Sequence, residues 1–169
     1  MTLHTPRLLI ETLTPAAVPL KLVAWLNDPD VNRYLESRFV THTLETQQAY
    51  AAAQQHYFAI IDCRHGNSTR GNLVGTAHLT IDEPHKVGTL GYLIGPQYAG
   101  QGFATEAVKA VTDWALTFLR YVEAGIYAEH KGSRQVLIKA DYRRDRLVFD
   151  RYLIDGAGHD KCIYRRTAL

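Results

Sequence analysis

Gly100 and Gly102 lie two residues apart in the run GPQYAGQGFATEA (95–107), between an apolar stretch and a helical pattern. Glycine at a strand-to-helix junction lets the chain turn sharply and lets its backbone approach a partner with no Cβ in the way. The first N–H groups of the following helix have no acceptor within it, and the positive end of the helix dipole favours an anion there. Such a junction suits a phosphate. The residues alone leave two further readings of Gln97-x-x-Gly100-x-Gly102. One is a tight turn that serves packing only. The other is a dinucleotide loop, which wants a third glycine where this chain has Thr105, and a parallel βαβ setting where this chain has a hairpin.

Few other residues offer chemistry. His78 falls within an apolar run and titrates near neutrality, so it suits a base or the first member of a water relay, or a packed position in a sheet. Asp82 and Glu83 are weaker candidates at a hairpin turn. Cys63 and Cys162 are far apart without CxxC spacing and read as small buried hydrophobes. No metal is expected.

These side chains need positions, and periodicity supplies elements. RLLIETL (7–13) predicts a first strand. A helix follows from Thr14-Pro15, with Val18, Leu22, Trp25 and Leu26 on one face. NDPD (27–30) caps a short second helix to Tyr34 or Leu35, and Thr43 opens a third. HYFAIIDC (56–63) is a strand, followed by a turn-rich tip, RHGNSTRGN. NLVGTAHLTID and KVGTLGYLIG, joined by EPH, form an antiparallel hairpin. From Ala104 a helix places Ala107, Val111, Trp114, Ala115 and Phe118 on one stripe. A strand over 122–130, a short helix over 132–140 and a closing pair of strands (RLVFDRYLI and KCIYRRT) complete the chain. The fold class is α/β (α+β): one domain over 1–169, a central mixed and mostly antiparallel sheet flanked by helices.

The bulk numbers agree. The chain has 169 residues, 46% of them apolar and 21% charged, which suits one domain with a real core. A net charge of +2 gives no nucleic-acid-binding surface, and RRDR (143–146) is too short to change that. No apolar run approaches the ~20 residues of a membrane span. Arg7 and Glu11 interrupt the N-terminal apolar run, so no secretory signal is read there. A cytoplasmic protein is expected.

The segment GYLIGPQYAGQGFATEAV resembles the acetyl-CoA pyrophosphate loop of the GNAT superfamily, Q/R-x-x-G-x-G/A between an apolar strand and an amphipathic helix, with Gln97, Gly100 and Gly102 filling it. TPRLLIETLT, WLNDPDVNRYL and LVGTAHLTID extend the resemblance over residues 5 to about 142, toward the branch that acetylates protein N-termini, ribosomal proteins included. WLNDPDVNRYLESRFVTHTLE is also similar to relatives that acetylate amino sugars. The resemblance implies a sheet splayed where acetyl-CoA enters. It also implies backbone amides from Gln97 to Thr105, Gln101 and Ala104 included, on the diphosphate. An N–H near Leu93 or Ile94 would serve the oxyanion.

The same resemblance sets expectations around a second motif, N-x-x-S/A-x-x-V/L followed by Gly-Phe. HKGSRQVL supplies Ser133, Val136 and Leu137; His130 stands in place of asparagine, and Asp141-Tyr142 replace Gly-Phe. Many relatives carry tyrosine at the Leu137 position to protonate the departing thiolate, which leucine cannot do. Ser133 thereby becomes the first candidate partner for the sulfur, and His130 joins the cofactor-binding set. Thr89 stands where N-terminal-acetylating relatives often carry glutamate. Trp25, Tyr34, Glu36, Arg38, Phe39 and His42 belong to the region that walls the acceptor site in the family.

The reaction implied is direct attack of a primary amine on acetyl-CoA, a cosubstrate, without a covalent acyl-enzyme. Neutralising a lysine side chain at pH 7 costs about 4–5 kcal/mol, against about 1–1.4 kcal/mol for an N-terminal α-amine. With no strong base in view, a protein N-terminus, an amino sugar or another small amine is the expected acceptor. Monomer and homodimer both remain open, with neither nucleic acid nor membrane as partner. The rivals are a catalytically poor acyl-CoA-binding protein and an NAD-dependent oxidoreductase indifferent to CoA.

Overall fold

The strand periodicity is realised as one eight-stranded sheet. The computed structural model describes residues 1–64 and 72–168, so most of the predicted RHGNSTRGN tip, at 65–71, lies outside the described residues. The strands are β1 (Thr2–His4), β2 (Leu8–Thr12), β3 (His56–Asp62), β4 (Asn72–Asp82), β5 (Val87–Ile94), β6 (Tyr121–Tyr127), β7 (Arg143–Ile154) and β8 (Ala157–Thr167). The helices are α1 (Leu20–Asn27), α2 (Pro29–Asn32), α3 (Leu44–Ala53), α4 (Phe103–Ala115) and α5 (Lys131–Lys139). Spatial order in the sheet is β1-β2-β3-β4-β5-β6-β8-β7. Neighbours run antiparallel except β5 and β6, the one parallel pair among the described residues.

Helices cover both faces, so the central strands are buried on both. On β3, Phe58 and Ile60 join one core with Val108 and Val111 of α4 and Leu137 of α5. Tyr57, Ala59 and Ile61 of the same strand join a second core with Leu22, Trp25 and Leu26 of α1. The period of two along a strand makes this division. Each fully buried Val or Leu contributes roughly 1.5–3 kcal/mol. No helix among the described residues is long and apolar enough to cross a membrane.

The structure departs from the predicted elements at several places. The helix read from Thr14-Pro15 to Leu26 is broken: a 3-10 turn spans Pro15–Ala17, and α1 starts only after Pro19. Proline forces Val18 out of the helical region, to ψ 118°, and offers no N–H to a continuing helix. The buried stripe survives the break, because Val18, Leu22, Trp25 and Leu26 all stay in the core. Phe118 lies beyond the end of α4, exposed, with its ring edge-on to Trp114 at 4.9 Å. The strand expected over 122–130 ends at Tyr127, and His130 becomes the N-cap of α5. Finally, β1 is a three-residue edge strand set only by its pairing with β2. β7 and β8 are longer than their apolar stretches and meet at Asp155 and Gly156, whose φ of 50° and 79° suit a two-residue hairpin turn.

Candidate active site

β5 and β6 pair over three residues only, Val87–Thr89 against Tyr121–Glu123, and then part. Leu90–Ile94 and Ala124–Tyr127 face a gap instead of each other. The gap opens into a cleft of about 1030 Å³ that Tyr92, Ile94, Gly102, Ser133 and His78 all line. Ladder geometry tells which backbone groups face it. Gly95 N–H donates to Val74 C=O at 2.8 Å, so Leu93 also directs its N–H and C=O toward β4. Tyr92 and Ile94 direct theirs into the gap. Of the two expected donors, Ile94 has the orientation.

At the mouth, Gly100 and Gly102 have φ of +75° and +82°, the left-handed region that side chains disfavour. Gly102 is the N-cap of α4, and the backbone bonding of the helix begins with Glu106 N–H to Gly102 C=O at 3.1 Å. The N–H groups of Phe103, Ala104 and Thr105 thus have no backbone acceptor among the described residues. A Cβ on Gly100 would meet nothing within 4 Å, so the loop is open to a ligand on that side.

Side chains hold this loop from behind. Arg7 N–H and the Thr5 hydroxyl donate to Glu106 Oε1 at 3.0 and 2.5 Å, and Arg7 Nε donates to Oε2 at 2.6 Å. Arg7 Nη1 reaches the Gln101 carbonyl oxygen at 2.9 Å. Burial alone would raise the Glu106 carboxyl; the bonds from Thr5 and Arg7 outweigh it and hold the group below the usual glutamate range. Gln97 and Gln101, expected near the coenzyme, do not line the cleft. Gln101 Nε2 donates to Gln97 C=O at 3.2 Å, and its Oε1 accepts from Arg64 at 3.3 Å. Both residues brace the turn.

Deeper in, Ser133 is buried and its Oγ lies 2.6 Å from the Tyr92 hydroxyl, which is also 3.2 Å from Ser133 C=O. Burial pushes the Tyr92 phenol up to about 12, so it stays protonated across the working range. Leu137 is fully buried in the core and cannot reach a reacting group. His130 Nδ1 accepts from Ser133 N–H at 3.4 Å, the N-capping task open to an asparagine side chain, and its ring stacks on Tyr34 at 4.6 Å. His78 pairs with Gly91 across the ladder and packs its ring against that residue. Burial lowers the pKa of both His78 and His130, which keeps each imidazole neutral near pH 7.

The opposite end of the cleft is built from distant segments. The Tyr127 hydroxyl donates to Glu36 at 2.5 Å and lies 2.5 Å from Arg38 Nη1, while Arg38 also bonds the Leu153 carbonyl oxygen. Tyr127 stacks on Tyr152 with ring centroids 3.9 Å apart. His42 is occupied structurally: Nε2 meets Ser37 C=O at 3.0 Å and Nδ1 meets Gln47 Nε2 at 2.9 Å. Those partners require Nε2 to carry the proton. Phe39 is exposed, and Asp82 holds His85 at the β4–β5 turn.

The sequence model of the acetyltransferase (GNAT) domain matches residues 7–143 of the chain. The chain belongs to the GNAT family. Two relatives from Bacillus subtilis (strain 168) are similar to it. One bears the name "Probable N-acetyltransferase YjcK" and is 28% identical over 120 residues, 69% of this chain and 64% of YjcK, just under two thirds of that protein's length. The other, "Uncharacterized N-acetyltransferase YoaA", is 24% identical over 170 residues, 96% of this chain and 94% of YoaA. Among solved structures, the ribosomal alpha-N-protein acetyltransferase RimL, in complex with coenzyme A, superposes with a TM-score of 0.83 at 15% identity, over 96% of this chain and 95% of that one. That likeness is one of fold.

Within this GNAT fold, the structure brings together Leu93, Ile94, Gly100, Gly102, Ala104, Thr105, His130, Ser133 and His78 along one cleft. Sequence reasoning did not single out Tyr92, which lines the cleft beside Ser133. Its signal was the Gly-Tyr pair in LGYLIG, but only the fold places the phenol on Ser133, forty-one positions away in the chain.

Proposed function

We propose that this GNAT protein transfers the acetyl group of acetyl-CoA to an α-amine by direct attack, with a protein N-terminus as the first acceptor to test. The single observation that carries the reading is the parting of β5 and β6 beside a glycine-opened helix N-terminus. It offers a narrow slot for an extended coenzyme arm and an anion-binding end for its diphosphate.

Acetyl-CoA fits these residues and supplies an electrophilic thioester whose sulfur leaves as a thiolate. The amides of Phe103, Ala104 and Thr105, opened by Gly100 and Gly102, hold the diphosphate. Ile94 N–H stabilises negative charge that develops on the acyl oxygen. Ser133 hydrogen-bonds the sulfur, and the Tyr92 phenol fixes the orientation of its hydroxyl. His78, neutral because it is buried, takes the amine proton directly or through water. Burial makes the His78 imidazole a weaker base than a free histidine, so an amine that is partly neutral at pH 7 suits it best. RimL, an alpha-N-protein acetyltransferase by name, shares the fold, which makes that acceptor class the first one to test.

Thiol release from acetyl-CoA, followed across N-terminal peptides, amino sugars, polyamines and aminoglycosides, tests the reading. Release with peptides above the other classes is the expected result. Calorimetric binding of acetyl-CoA with no release for any amine would leave a binding protein instead of an enzyme.

A further inference from the structure

We propose that Lys161 is an anion-binding residue for the acceptor, and that the acceptor amine therefore also carries a carboxylate or a phosphate. The inference rests on the acetyl-transfer reading of the cleft and concerns its acceptor end.

Lys161 lies on β8 opposite Tyr127 of β6, and its side chain runs back across Gly125. A Cβ on Gly125 would sit 2.1 Å from Lys161 Cε and 2.9 Å from Nζ, so the missing side chain is what gives the lysine its path. Gly125, Lys161, Tyr127 and Tyr152 all line the cleft, and Nζ lies 5.7 Å from the centre of the Tyr152 ring. Lys161 is half-buried, yet no carboxylate among the described residues comes within the 4.0 Å of an ion pair. Glu36, the carboxylate of this wall, is already held by Tyr127 and Arg38. Glu123 is engaged by Arg146 at 3.5 Å.

A half-buried ammonium without a counter-ion is unfavourable unless one arrives with a ligand. Burial, and the repulsion from Arg151 and Arg146, lower the lysine's pKa, while Glu123 and Glu36 act in the opposite direction without offsetting them. Tyr127 and Tyr152, stacked on each other beside the ammonium, line the same cleft and give an acceptor's body an aromatic surface. An acceptor bearing an anion would neutralise the lysine and be oriented by it; a purely cationic polyamine would be repelled.

The test uses CoA-loaded protein and calorimetric binding of product-like probes in matched pairs. N-acetylalanine is compared with its carboxamide, N-acetyl-O-phosphoserine amide with N-acetylserine amide, and an N-acetylated dipeptide amide with aspartate in second place with its asparagine counterpart. The pairs separate a free carboxylate, a phosphate and a peptide side chain as sources of charge. In at least one pair the anionic member should bind tenfold or more tightly. Lys161→Met should bring that ratio to within twofold of unity, Gly125→Ala should reduce it by displacing the ammonium, and Lys161→Arg should retain most of it. Equal binding within all pairs, or a preference that survives Lys161→Met, overturns the proposal. Acetyl-CoA titrated separately should bind wild type and Lys161→Met alike. Loss of coenzyme binding by wild type would instead defeat the acetyl-transfer reading itself.

Discussion

The two ends of the cleft are made differently. The mouth is main chain: two glycines at positive φ, three helix N–H groups without backbone acceptors, and a clamp of Thr5, Arg7 and Glu106 behind them. The far end is side chain: Glu36, Arg38, Tyr127, Tyr152 and Lys161, drawn from four segments spread over more than a hundred residues. A diphosphate is a constant part of every acetyl-CoA molecule, and backbone amides recognise it without dependence on side-chain identity. An acceptor needs discrimination, which comes from side chains whose arrangement the surrounding fold imposes. One end is local in sequence and the other is not.

The contrast can be broken at either end. The largest effect is expected at the mouth, where Gly100→Asp or Gly102→Asp places a side chain at positive φ and a negative charge beside the diphosphate. Acetyl-CoA affinity should fall about 100-fold in calorimetry. Unchanged affinity would show that the loop does not hold the coenzyme. Between the ends, Ser133→Ala and Tyr92→Phe should each lower kcat by roughly 10–30-fold with little change in KM for acetyl-CoA, as expected of a group on the leaving sulfur and of the phenol that orients it. Full turnover by Ser133→Ala would release that residue from its role.

Glu106→Gln tests the clamp. Losing the charge-assisted bonds to Arg7 should destabilise the fold by about 1.5 kcal/mol, a drop in Tm of roughly 3–6 °C. Preference among acceptors should be untouched. At the far end, Glu36→Gln should alter acceptor KM by about fivefold and leave acetyl-CoA binding unchanged, because it disturbs Tyr127 and Arg38 alone.

The smallest effect is a pH dependence. Burial lowers the pKa of His56, His78 and His130, so near and below pH 6.5 the unfolded chain binds more protons than the folded one. Unfolding free energy should then decline as pH falls through that window, measurable by urea titration. Catalysis through neutral His78 should weaken in the same direction, and His78→Gln should remove that limb from the profile of kcat/KM.

Much of the fold was legible because its signals are local. The apolar run in HYFAIIDC, the stripe of Ala107, Val111 and Ala115 in α4 and the Thr43 cap of α3 depend on near neighbours, and each is realised. Pro19 carried a local signal too, yet the amphipathic stripe around it suggested one helix, and the core kept that stripe across the break. β1 had no such signal: three residues at an edge become a strand only because β2 offers hydrogen-bonding groups. In the site, Gly100 and Gly102 marked a sharp strand-to-helix turn, which the structure shows at positive φ, and the family resemblance singled out Ser133. Neither could reveal that Tyr92 completes Ser133 or that Glu36 meets Tyr127, since those pairs lie 41 and 91 positions apart.

What the sequence determined by itself was the set of elements and the glycine junction, because helix, strand and turn preferences arise from atoms only a few residues apart. The tertiary structure decided where β5 leaves β6, which of Leu93 and Ile94 turns its N–H to the gap, and which side chains meet across it. Those outcomes depend on the packing of whole elements against one another, and the energy of a contact between distant residues is set only when the fold has closed around both.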